Sequence, residues 1–139
     1  MFGPFKKKKP LSGNPDLAKI VAIAAKIAAV QIALASIPPY RLATDIWSLG
    51  YIFGMHDAIL QRGGKTDQAE CLAAITMGFH QVFGGDVAPS AVRKCLDLQQ
   101  DPVFAAGMTV GGTDLYAFLQ NRTSAPMALF DHINDLGGR

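Results

Sequence analysis

DIWSLGYIFGMHDAILQR, residues 45–62, decides the fold because it offers no broad polar face. On a helical wheel Ile46, Leu49, Phe53 and Leu60 fill one side, and Trp47, Tyr51, Ile52, Met55 and Ile59 fill most of the rest. A helix that is apolar nearly all round is a buried one. The gap in this surface is a narrow strip of Gly50, Gly54, Asp57 and Gln61, whose spacings of four, three and four return to one side of a helix. Two residues without side chains leave a groove there, with a carboxylate at its end.

Working outward, the segments on both sides also carry helical signals. Residues 1–15 hold three prolines, two glycines and the run Lys6 to Lys9, with no hydrophobic period, which predicts an extended basic arm. A helix is expected from Asp16 to Ser36, with Asp16 favourable at the positive end and Pro38-Pro39 forbidding continuation. Leu17, Ile20, Val21, Ala24, Ile27, Ala28 and Leu34 form its expected core side, opposite Lys19, Lys26, Ala22, Ala29 and Ala33. The central helix is expected from about Arg41 to Arg62, stopped by Gly63-Gly64 in a left-handed turn. Asp67 with Glu70 reads as a capping box that opens a helix through Phe79, Val82 and Phe83. Pro89 and Pro102 each mark a first helical position, giving a short helix to Gln100 and a longer one to about Leu119. A last helix is expected after Thr123-Ser124, with Pro126 in its first turn. No stretch alternates as a strand does. The sequence therefore predicts an all-α, single compact domain of about six helices over residues 16–139, preceded by the basic arm.

Composition narrows the class. A chain of 139 residues with half of them hydrophobic and 17% charged can bury one core without staples. Cys71 and Cys95 lack any C-x-x-C or zinc-ligand spacing and read as reduced core thiols. The net charge of +2 comes from the arm: without Lys6 to Lys9 the chain holds nine basic against eleven acidic residues. There is no basic stripe with interleaved aromatics, so nucleic acid is not an expected partner. Leu17 to Ile37 is long enough to span a bilayer, but Lys26 falls near its middle, where a lysine costs about 2.5–3.5 kcal/mol. A membrane surface reached through Lys6, Lys7, Lys8, Lys9 and the helix 16–36 is the alternative partner. The expected location is cytoplasmic. The alternative is export, with residues 1–35 as an atypical signal segment whose apolar centre Lys26 and Gln31 interrupt.

Gly50, Gly54 and Asp57 share their spacing with Gly107, Gly111 and Asp114, and both motifs follow an apolar pair, Ile46-Trp47 and Val103-Phe104. The repeated G-x-x-x-G-x-x-D admits two related helical hairpins about a pseudo-two-fold. A glycine inside a helix costs about 0.5–1 kcal/mol relative to alanine, so four at matched spacing point to something lying close against the backbone. The leading expectation is a helix, packed with Asp57 and Asp114 accepting hydrogen bonds, in a non-enzymatic interaction or structural module that pairs as a homo-oligomer or with another helical protein. The alternative is a pocket for a lipid-like ligand or haem at the two grooves, walled by Trp47, Phe53, His56, Phe79, His80 and Phe104 together with Phe83 and Phe118, with His56 and His80 as the candidate axial ligands of a haem. Catalysis has little local support: no H-x-x-x-H or E-x-x-H is present, His56-Asp57 and Asp131-His132 diverge by about 100° around their helices, and no nucleophile stands beside a base. No cofactor and no metal are expected, and only Asp57 and Asp114, if they faced one another, would begin an acid/base pair.

Overall fold

The computed structural model describes residues 15–123 and 125–137, so most of the expected arm lies outside the described residues. It is all-α, with seven helices and no strand among the described residues: α1 (Pro15–Ala35), α2 (Pro39–Leu42), α3 (Ile46–Arg62), α4 (Gln68–Phe83), α5 (Ala88–Asp97), α6 (Pro102–Leu119) and α7 (Ala128–Gly137). The helices form one compact fold around α3, which packs on α6, α1, α4, α5 and α7. Twelve of the 17 residues of α3 are buried, which is the burial an all-round apolar helix requires.

The expected central helix is broken near its start. α2 is a single turn, and Asp45 then takes an extended conformation and caps α3, its carboxylate accepting from the Ser48 N–H at 3.0 Å and the Ser48 hydroxyl at 2.6 Å. A short acceptor placed three residues before a backbone N–H competes with helix continuation, so the aspartate starts a new helix instead of lying inside the old one. The Asp67 cap sits where expected, accepting from Glu70 N–H at 2.9 Å, and before the expected start at Pro102 the Asp101 carboxylate accepts from Val103 and Phe104 N–H. Gly64, at φ +73°, makes the left-handed turn after α3. α5 stops at Asp97 and α7 starts at Ala128, so Pro126 precedes the last helix instead of opening it.

α3 and α6 meet backbone to backbone. A Cβ on Gly50 would overlap the Phe104 carbonyl, and one on Gly54 would lie 2.6 Å from Met108 Cα. Reciprocally, a Cβ on Gly107 would overlap the Trp47 carbonyl and lie 2.9 Å from Tyr51 N, and one on Gly111 would overlap the Tyr51 carbonyl. Exchanging 47, 50, 51 and 54 for 104, 107, 108 and 111 maps these contacts onto each other, so the seam has a local two-fold character. The paired positions advance together, so the two helices run in the same direction.

On the other faces of α3, α1 lies against α3, α4 and α7, while α5 buries Ala88, Ala91, Val92 and Cys95 under its amphipathic side. Both cysteines are free. Burial pushes the Cys95 thiol up to about 12, which leaves it a small apolar core residue.

The seam predicts a contrast between neighbouring glycines. Gly54→Ala is expected to destabilise the fold by about 1–3 kcal/mol although alanine is the better helix former, because backbone must move to admit the methyl group. Gly112→Ala, whose Cβ would meet only the Ala58 Cβ at 3.7 Å, is expected to be neutral or to stabilise by up to about 1 kcal/mol. Urea unfolding of the two variants checks this, and equal shifts would contradict the seam.

Candidate functional site

The residues singled out in the sequence fall into three separate places. Gly50, Gly54, Gly107 and Gly111 are buried in the α3–α6 seam, where each groove is filled by the backbone of the other helix. A lipid-like ligand or haem therefore has no room at either groove, which corrects the pocket reading. Asp57 and Asp114 do not form a pair. Asp57 accepts from Gln61 Nε2 at 2.8 Å on its own helix, and burial raises its carboxyl above the ordinary range despite that bond. Asp114 accepts from the Tyr51 hydroxyl at 2.7 Å.

The expected pocket wall is, for the most part, core. Phe53 packs edge-on to Phe79 and tilted against Phe104, and Phe79 also meets His56 and Phe83. His56 is fully buried, with Nδ1 2.7 Å from the Ile52 carbonyl. Its Nε2 lies against Gly78, where a Cβ would overlap it, and has no hydrogen-bond partner. This leaves no coordination position for a haem iron at His56. His80 is exposed, and its ring lies beside Gly85.

Trp47 belongs to another group. Its ring stacks on His132 at 4.3 Å between centroids, and His132 Nε2 lies 2.8 Å from Asp45 Oδ2. Ser48, Asp45 and His132 have the residue types of a nucleophilic triad but not its order, because the buried serine hydroxyl donates to the carboxylate and not to the imidazole. Burial raises the Asp45 carboxyl, but the Ser48 hydrogen bonds and the His132 contact outweigh it and hold the carboxyl below the ordinary range. This arrangement fastens the α3 N-terminus to α7. Among the described residues no three His, Cys, Asp or Glu side chains gather as metal ligands.

A chain of buried polar groups ties four helices together. Gln31 of α1 donates to the Tyr51 hydroxyl at 3.0 Å, Tyr51 donates to Asp114 of α6, and the Gln31 Oε1 accepts from Phe130 N–H in the first turn of α7. That last bond satisfies one of the donors a helix start leaves open. Burial pushes the Tyr51 hydroxyl far above the usual phenol range, so it serves as a neutral donor.

Facing outward, a groove of about 450 Å³ runs between α1, the end of α6 and the approach to α7. Ile23, Ile27, Val30 and Leu34 line one side, and Phe118, Leu119, Pro126 and Met127 the other. Ile23 is 41% exposed, Val30 49% and Leu34 59%. Leu34 therefore lies outside the core side expected for it. Gln31 sits at the floor with its amide turned inward onto Tyr51 and Phe130, and among the described residues Lys26 is the one charged residue lining the groove. Of the aromatics named in the sequence reading, only Phe118 lines it. The signal missed in the sequence is the spacing of Ile23, Ile27, Val30 and Leu34, four, three and four apart, which makes a second apolar stripe beside the core-facing one.

Comparison with protein-family models, curated proteins and solved structures finds no match to this chain.

The buried imidazole sets a pH dependence. Burial holds His56 down to about 4, against 6.5 for an unhindered histidine, with the Ile52 carbonyl offsetting part of the effect. Between those values the unfolded chain binds a proton that the folded chain does not, so stability is full above about pH 7 and falls as pH drops from 6.5 to 4, by about 3 kcal/mol in total. Urea unfolding across this range checks it: His56→Gln should flatten the slope, and an unchanged slope would contradict the assignment.

Proposed function

We propose that this protein is a helical association module that works through the outer face of α1 and the groove beside it, and not by catalysis. The observation that carries the reading is the run of Ile23, Val30 and Leu34, three large apolar side chains exposed on one helix beside a concave apolar wall. Single exposed apolar residues such as Leu96 and Val103 are ordinary, but a contiguous patch around a groove marks a surface that something covers.

Elimination supports the same reading. The glycine strips that the sequence offered for pairing with a second copy are already occupied within the chain, so association must use another surface. The polar side chains that could begin chemistry are tied into structural hydrogen bonds or buried without access. A groove of this volume lies within the range that holds a small ligand or the side chains of a docked partner.

Binding of anilinonaphthalene sulfonate, an apolar fluorophore with one anionic group, tests the proposal. The native protein is expected to bind the dye saturably at one site. Val30→Asp should weaken binding by about tenfold while the unfolding midpoint stays put, since the residue is exposed and makes little contribution to the core. Leu96→Asp, on the remote α5, should leave dye binding unchanged. Equal effects of the two variants, or no saturable binding to the native chain, would sink the proposal.

A further inference from the structure

Charge distribution indicates what covers the α1 face. Residues 1–35 carry six lysines against one aspartate, while the remainder carries seven basic against ten acidic residues. The excess of positive charge is thus concentrated in the segment that also exposes the apolar stripe. Lys19, Ile23, Lys26 and Val30 are all exposed and follow at spacings of four, three and four, so cations and apolar side chains alternate along one solvent-facing line of α1. Lysine stems can lie along an apolar surface while the ammonium reaches out of it. Lys6 to Lys9 precede this helix in the sequence.

Resting on the reading of α1 as an association face, we propose that its occupant is an anionic lipid surface, on which α1 lies flat with Ile23, Val30 and Leu34 in the acyl boundary and Lys19 and Lys26 at the phosphates. A second copy fits this face less well. Pairing two α1 faces would bring both sets of lysines together, and the only acidic residue of α1 is Asp16 in its first turn. The apolar stripe distinguishes a lipid surface from a purely ionic polyanion, which would use the lysines and leave Ile23, Val30 and Leu34 in water.

The orientation follows from the opposite side of the helix. By length and composition Asp16–Ala35 is apolar enough to cross a membrane. Leu17, Val21, Ala24, Ala25 and Ala28, however, are buried in the core, and Gln31 is bonded to Tyr51 and Phe130. Crossing would strip these contacts, whereas lying on the surface keeps all of them and covers only the exposed side.

Co-sedimentation of the full chain with vesicles tests this, using phosphatidylcholine alone and phosphatidylcholine mixed with phosphatidylglycerol. Binding is expected to the mixed vesicles, about tenfold weaker to the neutral ones, and to decline with added salt. Val30→Asp combined with Leu34→Asp, and separately Lys19→Gln combined with Lys26→Gln, should each weaken binding to mixed vesicles by about tenfold with circular dichroism unchanged. Full vesicle binding by the Val30/Leu34 variant would overturn the proposal, because the lysine run alone would then account for it. Absence of vesicle binding, together with a concentration-dependent dimer that the same variant abolishes in sedimentation velocity, would overturn the lipid occupant and keep the association face. Absence of vesicle binding, dimer and saturable dye binding would overturn both.

Discussion

Four absent side chains let the backbones of α3 and α6 touch, and the rest of the molecule depends on that contact. Glycines at 50, 54, 107 and 111 together cost about 2–4 kcal/mol of helix propensity, which close packing along two turns must offset. The arrangement is self-consistent because each helix supplies both the groove and the ridge that fills its partner's groove. With α6 held this close on one side, α3 has its other sides free for α1, α4, α5 and α7, and its all-round apolar surface finds partners everywhere. The buried chain from Gln31 through Tyr51 to Asp114 then fixes the register of α1 against the seam, and the same glutamine fastens the start of α7.

That interior leaves little for chemistry. A carboxylate that accepts from a tyrosine, a buried histidine packed edge-on against Phe79 and a serine donating to its own helix cap are structural uses of residue types that elsewhere carry catalysis. At the surface, α1 has two unlike sides. One is held in the core by small and branched residues; the other alternates lysine with large apolar residues next to a groove. A helix stabilised by its inner side can expose such an outer side without unfolding, and that division of labour underlies both the association reading and its lipid form.

Much of this was legible in the sequence because it depends on local pattern. Apolar spacing located the six long helices; Asp67 and Pro102 announced their helix starts; and the glycine spacing announced close approach. What stood against the glycines was not legible. Nothing local to Gly50 states that Phe104 lies over it, and only the matched motif around Gly107 hinted that the two grooves fill each other. Asp45 was a readable cap that lost out to the apolar pattern continuing on both sides of it, so the break between α2 and α3 went unseen. The exposed stripe was obscured for a different reason. In a helix with apolar residues on two sides, which side meets the core is decided by α3, α4 and α7, and Leu34 falls on the outer one.

The seam itself is open to direct observation through proton–proton contacts across it. In an isotope-edited nuclear Overhauser spectrum, strong cross-peaks are expected from the Gly54 α-protons to the Met108 α-proton and from the Gly111 α-protons to that of Tyr51, because only facing backbones bring such protons together. Absence of both sets in a folded, assigned spectrum, or cross-peaks from these glycines to side-chain methyls alone, would mean that side chains separate the two helices and would contradict the account.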